Sequence, residues 1–257
     1  MKMPVLFIGH GAPMNATRDD QFTRALQKLG HSLPRPRAVL VISAHWETEG
    51  SVIASTDQPV KLDDFFGNHP ELKELTYHAP GAPEQAVALN ALIADSRFDD
   101  TRGLDHGAWA ILVHLFPDAD VPVFQMSLDR KRSLPDAFVL GKRLRPLREQ
   151  GVLIVGSGNI CHNTQKINFN QHADPLPWNV EFDRRVADAI ERSDLDSLMY
   201  PLKLAPAAAP EAVPTIEHYA PFLYALGATT PEDETETIYT GFEHAAISLR
   251  SYAWSEK

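Results

Sequence analysis

Three short apolar runs constrain this chain most: Val5 to Ile8, Ala38 to Ser43 and Val152 to Val155. A run that is apolar throughout, rather than alternating, reads as a strand buried on both faces. Strands of that kind belong to largely parallel sheets covered by helices. Val121 to Ser127 is similar, and Val52 to Ser55 and Thr237 to Tyr239 are weaker candidates. Between them, Asp20 to Leu29 places Phe22, Leu26 and Leu29 at helical spacing. Pro83 to Ala94, Pro135 to Arg148, Trp178 to Glu191 and Thr215 to Leu226 also read as helices. Strands alternating with helices predict an α/β fold. We expect a single domain over residues 1–257, with a central mixed, largely parallel sheet flanked by helices. The Ala- and Pro-rich stretch Lys203 to Pro214 reads as an ordered crossing segment or a mobile loop.

The three runs end alike. Ile8 leads into Gly9-His10-Gly11, Ile42 into Ser43-Ala44-His45-Trp46, and Val155 into Gly156-Ser157-Gly158-Asn159-Ile160-Cys161-His162-Asn163. Ligands of open α/β sheets collect at the carboxyl ends of the strands. If these strands are parallel neighbours, His10, His45 and His162 converge on one crevice, which predicts a metal site there. Two further histidines sit at predicted helix starts. Thr215 reads as an N-cap, with Glu217 and His218 in the first turn. Asp105 reads as another, with His106 facing outward and oriented by Asp105 if their side chains meet. Imidazoles without cysteine partners suit Zn, Fe, Cu or Ni.

Other chemistries are excluded by what the sequence lacks. It has no His-Glu-x-x-His, no complete dinucleotide loop, no Walker-type phosphate loop and no nucleophile-elbow spacing around Ser157. Cys161 reads as a buried small hydrophobe rather than a thiolate nucleophile. Lys and Arg number 24 against 34 Asp and Glu, a net charge of −10, which disfavours nucleic acid and anionic membranes as partners. With one cysteine no intrachain disulfide forms, as expected in a reducing compartment. No apolar run reaches the roughly 20 residues of a membrane span or the roughly 7 of a secretory signal. The expectation is a cytoplasmic enzyme, a monomer or small homo-oligomer.

Six motifs occur in order: Gly9-His10-Gly11-Ala12-Pro13-Met14-Asn15, Ser43-Ala44-His45-Trp46, Tyr77-His78-Ala79-Pro80-Gly81, Asp105-His106-Gly107, Gly158-Asn159-Ile160-Cys161-His162-Asn163 and Glu217-His218-Tyr219. Together they resemble the 4,5-DOPA extradiol dioxygenase family. This is the class III extradiol group that includes the catalytic subunit of protocatechuate 4,5-dioxygenase. The resemblance covers nearly the whole chain.

It implies a mononuclear metal held by His10, His45 and His218. His162 is implied as acid/base and, in zinc-occupied members, as a fourth ligand. The wider class uses a carboxylate as third ligand, which leaves Glu217 as the alternative to His218. His106 is implied to contact substrate or oxygen. The implied reaction inserts O₂ into a catechol such as L-DOPA, with 4,5-cleavage to seco-DOPA, using Fe²⁺. Zn²⁺ is a possible occupant of the same site. Trp46, Phe65, Phe66 and Tyr219 are candidates to stack on the aromatic ring, and Asn159 and Asn163 to orient neighbouring groups. A zinc-dependent hydrolase on the same histidines, or a non-enzymatic metal-binding relative, are the alternative readings.

Overall fold

A computed structural model describes residues 2–256. Its strands are β1 (Val5–Gly9), β2 (Ala38–Thr48), β3 (Val52–Ala54), β4 (Arg97–Asp99), β5 (Val123–Asp129), β6 (Val152–Gly158), β7 (Glu234–Tyr239), β8 (Phe242–Glu243), β9 (Ile247–Ser248) and β10 (Ser251–Ser255). Eight of them form one sheet in the order β4-β3-β5-β2-β6-β1-β10-β7, and β8 and β9 pair as a separate hairpin. The central strands β5, β2, β6 and β1 are mutually parallel. Antiparallel pairs join β3 to β5 and β10 to both β1 and β7. The sheet is therefore mixed and largely parallel, as expected.

The period-two alternation of strand side chains explains why the central runs are apolar throughout. Val5, Phe7, Leu40, Ile42, Val152 and Ile154 face one core, and Leu6, Ile8, Val39, Val41, Leu153 and Val155 face the other. The second core is closed by α1 (Gln21–Ser32), and the first by α2 (Pro83–Asn90). Along the chain follow α3 (His106–Leu115) on the second face, then α4 (Leu134–Arg143), α5 (Pro177–Glu191) and α6 (Ala220–Ala228) on the first. Every residue of α6 is buried, which is why it reads apolar all round. α1 begins at a full capping box between Asp20 and Thr23.

Several boundaries differ from the sequence reading. The predicted helix Thr215 to Leu226 starts only at Ala220. Thr215 does not cap it: its hydroxyl donates to Glu217 Oε1, and the preceding residues form turns. The predicted helix Pro135 to Arg148 is two pieces, with Arg145–Glu149 a separate short helix. The Lys203 to Pro214 stretch is an ordered crossing. Short helices Pro201–Leu204 and Ala209–Ala212 bury Ala205, Ala208, Ala209 and Ala212. Strands β4 and β10 lie outside the sequence reading, because three largely exposed residues, two of them charged, and a polar-apolar mixture give no apolar run.

One ion pair ties the middle of the chain to its last third, and its arginine also holds the chain start. Arg148 and Asp233 have fully buried side chains and meet through two hydrogen bonds, at 2.6 and 2.7 Å. Arg148 also donates to the carbonyls of Met3 (2.7 Å) and Ala228 (3.1 Å). Burial alone would raise the Asp233 pKa, but the Arg148 guanidinium and the Thr230 N–H hold it below the usual carboxylate range. Breaking a buried pair strands the remaining charge, so Arg148→Ala is expected to cost about 3–5 kcal/mol in urea unfolding. A folded pKa held low means the pair's contribution is complete above the unfolded value near 4 and is lost as pH falls through the folded one. An Arg148→Ala variant within about 1 kcal/mol of the parent would refute this account.

Candidate metal centre

The site lies where the sheet's central strands end. His10 follows β1 directly, and its N–H donates to the Gly158 carbonyl at the end of β6 (3.0 Å). His45 reaches the site differently. It lies inside β2, not beyond it. The β2–β5 ladder breaks between Ile42↔Met126 and Glu47↔Leu128, so Ser43 to Trp46 stand opposite the single residue Ser127. This bulge bends the strand and re-aims the side chains within it. His45 Nε2 then lies 3.0 Å from His10 Nε2.

His218 comes from the turn before α6, which rests on the end of β6. The Asn159 N–H donates to the His218 carbonyl (2.8 Å), and a Cβ on Gly158 would lie 2.1 Å from that oxygen. Only glycine admits this approach. The His218 ring sits 4.9 Å from that of His45 and 5.5 Å from that of His10. His162 stacks on it at 3.4 Å with an interplanar angle of 11°. His106 lies 3.7 Å from the His45 ring and 5.7 Å from that of His10. Five histidines from five segments thus meet. The nitrogens of His10, His45 and His106 form one close group, and His162, Glu217 and His218 form a second.

Hydrogen bonds decide which nitrogens are free. The Ser157 hydroxyl donates its only proton to the Gly107 carbonyl (2.5 Å), so towards His10 Nδ1, 3.0 Å away, it can only accept. His10 therefore carries its proton on Nδ1 and presents the Nε2 lone pair to the centre. The Glu217 carboxylate, 3.0 Å from His218 Nδ1, fixes His218 in the same way. His218 Nε2 is buried and has no hydrogen-bond partner. A buried polar atom left bare is costly, and a lone pair buried in a cluster of imidazoles is what a metal ion satisfies.

The electrostatics agree. Burial, reinforced by the neighbouring rings, holds the pKa values of His10 and His218 well below the ordinary imidazole value. Burial also pushes His45 down to about 3, with His106 adding to the shift, and His162 down to about 4. All four are neutral near pH 7, which is the form that ligates.

Asp105 and His106 depart from the sequence reading. Asp105 does cap α3, accepting from the Ala108 N–H. Its carboxylate is otherwise taken by Ser43, Arg102 and Gln125 rather than by His106. His106 is buried instead of facing outward, and its acidic neighbour is Asp64. Asp64 accepts from the His106 main-chain N–H (2.9 Å) and lies 3.1 Å from its Nδ1. Nothing in the sequence marked Asp64, which is 42 residues away in a polar stretch.

Two of the four aromatic candidates do not offer a free face, and a third lies out in solvent. Trp46 is buried under the Arg102 guanidinium, 4.8 Å above its ring. Tyr219 is in the core, with its hydroxyl on the Leu198 carbonyl. Phe66 is 99% exposed. Phe65 alone remains close, edge-on to Trp109, which in turn borders His106. Asn159 holds Ser248 and the His218 turn, and Asn163 holds Glu211, so both brace the loops around the site. Cys161 is buried, its thiol pKa raised by burial, as a non-catalytic cysteine should be.

Buried neutral imidazoles gathered at the carboxyl ends of the parallel strands of a mixed sheet define a candidate metalloenzyme of the oxygenase or hydrolase kind. The sequence comparison narrows this. Residues 6–253 match the family described as the catalytic LigB subunit of aromatic ring-opening dioxygenase, and the chain belongs to that family. It is 36% identical to 4,5-DOPA dioxygenase extradiol of Escherichia coli K12, over 97% of this chain and 94% of that protein. It is 34% identical to the protein of the same name from Beta vulgaris, over 97% and 95%. A crystal structure of an uncharacterized Escherichia coli K12 protein superposes with a TM-score of 0.84 at 34% identity, covering 99% of this chain and all of that one.

Two outcomes test the geometry. Gly158→Ala should displace the His218 turn and lower metal content, read by elemental analysis of the folded protein; unchanged metal content would refute the seating argument. The second concerns acid. Rings whose folded pKa lies below the unfolded value near 6.5 take up protons preferentially when unfolded. The metal-free protein should therefore lose stability as pH falls from about 6.5 towards 4, by on the order of 1–2 kcal/mol for each of His45 and His162 at pH 5. Urea unfolding at pH 7.5 and 5 reads this, and a His45→Asn, His162→Asn double variant should flatten the slope.

Proposed function

We propose that the chain is an extradiol ring-cleaving dioxygenase that acts on a catechol, with L-DOPA the substrate to test first. The observation that carries the reading is the bare, buried Nε2 of His218, in a ring 4.9 Å from that of His45 and 5.5 Å from that of His10. The names of the Escherichia coli and Beta vulgaris relatives support the choice of reaction. His10, His45 and His218 would hold one metal, with His162 beside them as a free base when the metal is Fe²⁺ and as a fourth donor only in a zinc-occupied centre. Bound Fe²⁺ supplies the redox path between catechol and O₂; Zn²⁺ in the same place supplies none.

The chain's own groups do the rest. Ser157 and Glu217 keep the ligand tautomers fixed. Neutral His162 accepts a substrate hydroxyl proton and returns it as the ring opens. His106, held by Asp64, donates a hydrogen bond to the oxygen on which charge builds. Phe65 is the aromatic placed to pack against the substrate ring. Both atoms of O₂ enter the product as the carbon–carbon bond beside the two hydroxyls breaks, so catechol is oxidised, O₂ reduced and no outside reductant consumed. We assign the enzyme to the cytoplasm, where Cys161 stays reduced. Among the described residues no helix is long and apolar enough to cross a membrane.

Anaerobic loading with Fe²⁺, followed by oxygen uptake with L-DOPA and a small catechol panel, tests the proposal. Stoichiometric uptake with a yellow product is expected, abolished by a chelator. His162→Ala should lower kcat by roughly 10²–10⁴-fold. No uptake with any catechol at full iron loading would overturn it.

A further inference from the structure

The turn that carries His10 is not held by its own strand. Gly11 adopts φ +63, and the chain then enters a short 3₁₀ turn, Pro13–Thr17. Into this turn, from 231 residues away in sequence, reaches Glu243 at the end of β8. Its carboxylate is buried and accepts from the Ala12 N–H, from Asn15 Nδ2 (3.3 Å) and from Arg18 Nη1 (3.1 Å). Asn15 Nδ2 passes the contact on, donating to the His10 carbonyl (3.1 Å). Arg18 also binds Asn15 Oδ1 (2.6 Å), so the three side chains form a closed network. A Cβ on Gly11 would fall 2.1 Å from Glu243 Oε1, which leaves no room for another residue there.

The same hairpin grips the other side of the site. Ile247 bridges to His162, the Ser248 N–H donates to the Cys161 carbonyl (3.1 Å), and the Asn163 N–H donates to the Ala246 carbonyl (3.4 Å). Its tip carries two consecutive non-glycine residues in the left-handed region, His244 (φ 53) and Ala245 (φ 64). Such a conformation persists only where the surroundings enforce it. Here Gln171 accepts from the His244 N–H, and the carbonyls of His244 and Ala245 accept from Asn168, Leu176 and Asn179.

We propose that Glu243 is a positioning residue of the metal centre, which fixes His10 through the Ala12–Asn15 turn while its hairpin fixes the His162 segment. The proposal rests on the reading of His10 as a metal ligand. The carboxylate is required by chemistry as well as shape: three donors converge on two acceptor oxygens. Glu243→Gln replaces one acceptor with a donor aimed at donors, at nearly constant volume.

Titration of Co²⁺ into the metal-free full-length protein reads both affinity and, through its visible absorption, coordination geometry. Glu243→Gln is expected to weaken Co²⁺ binding by roughly 10–100-fold, as loss of groups that orient ligands does, and to alter the absorption spectrum. Asn15→Ala, which cuts the link to His10 and leaves the hairpin intact, should do the same and stands in if the first variant fails to fold. Arg148→Ala, a destabilised control far from the turn, should keep the parent's affinity and spectrum. Parent-like affinity and spectrum in both test variants overturn the proposal alone. Failure of the parent to bind Co²⁺ overturns the metal-centre reading, and the proposal with it.

Discussion

The parallel ladder of β1, β6 and β2 is the constraint on which the site depends. Its register sets Gly9 beside Gly158 and Ser43 beside Ser157, so the ends of β1 and β6 and the start of the β2 bulge lie at one level. Everything that converges does so because these ends are aligned. His10 leaves the end of β1, the bulge in β2 delivers His45, and the end of β6 seats the His218 turn and supplies Ser157. A slip of one residue in any pairing would turn every strand side chain to the other face, exchanging the two cores. The register is therefore fixed by apolar burial, and the site inherits its precision from the cores on either side.

Gathering imidazoles in a dry place has an electrostatic cost that the surroundings manage. Burial and mutual repulsion suppress protonation, so the rings stay neutral and their lone pairs face inward. Acceptors that cannot donate, the Glu217 carboxylate and the already committed Ser157 hydroxyl, remove the tautomeric choice. The same logic places Asp64 beside His106 and Glu243 beneath the His10 turn. The centre is a set of polar groups whose partners are mostly satisfied from outside, with the Nε2 of His218 left bare within.

Much of the fold was legible because its strands bury both faces. The runs at Val5, Ala38 and Val152 marked three of the four central strands, and Val121 to Ser127 marked β5 within two residues. β10 was not legible: Ser251–Ser255 mixes polar and apolar residues, and its pairing with β1 spans almost the entire chain. Helix starts were legible where a side chain caps, as at Asp20 and Asp105, and misread at Thr215, whose hydroxyl binds Glu217 instead.

The sequence by itself determined the layered α/β class and the histidines at strand ends, since both follow from local pattern: apolar period, glycine placement and residue chemistry. Only the tertiary structure decided that Asp64 rather than Asp105 attends His106, that two of the four aromatic candidates are already occupied and a third is left in solvent, and that Glu243 reaches beneath His10. Those facts depend on contacts between segments distant along the chain. No local propensity encodes them, because the partner is chosen by the packing of the whole sheet and not by neighbours in sequence.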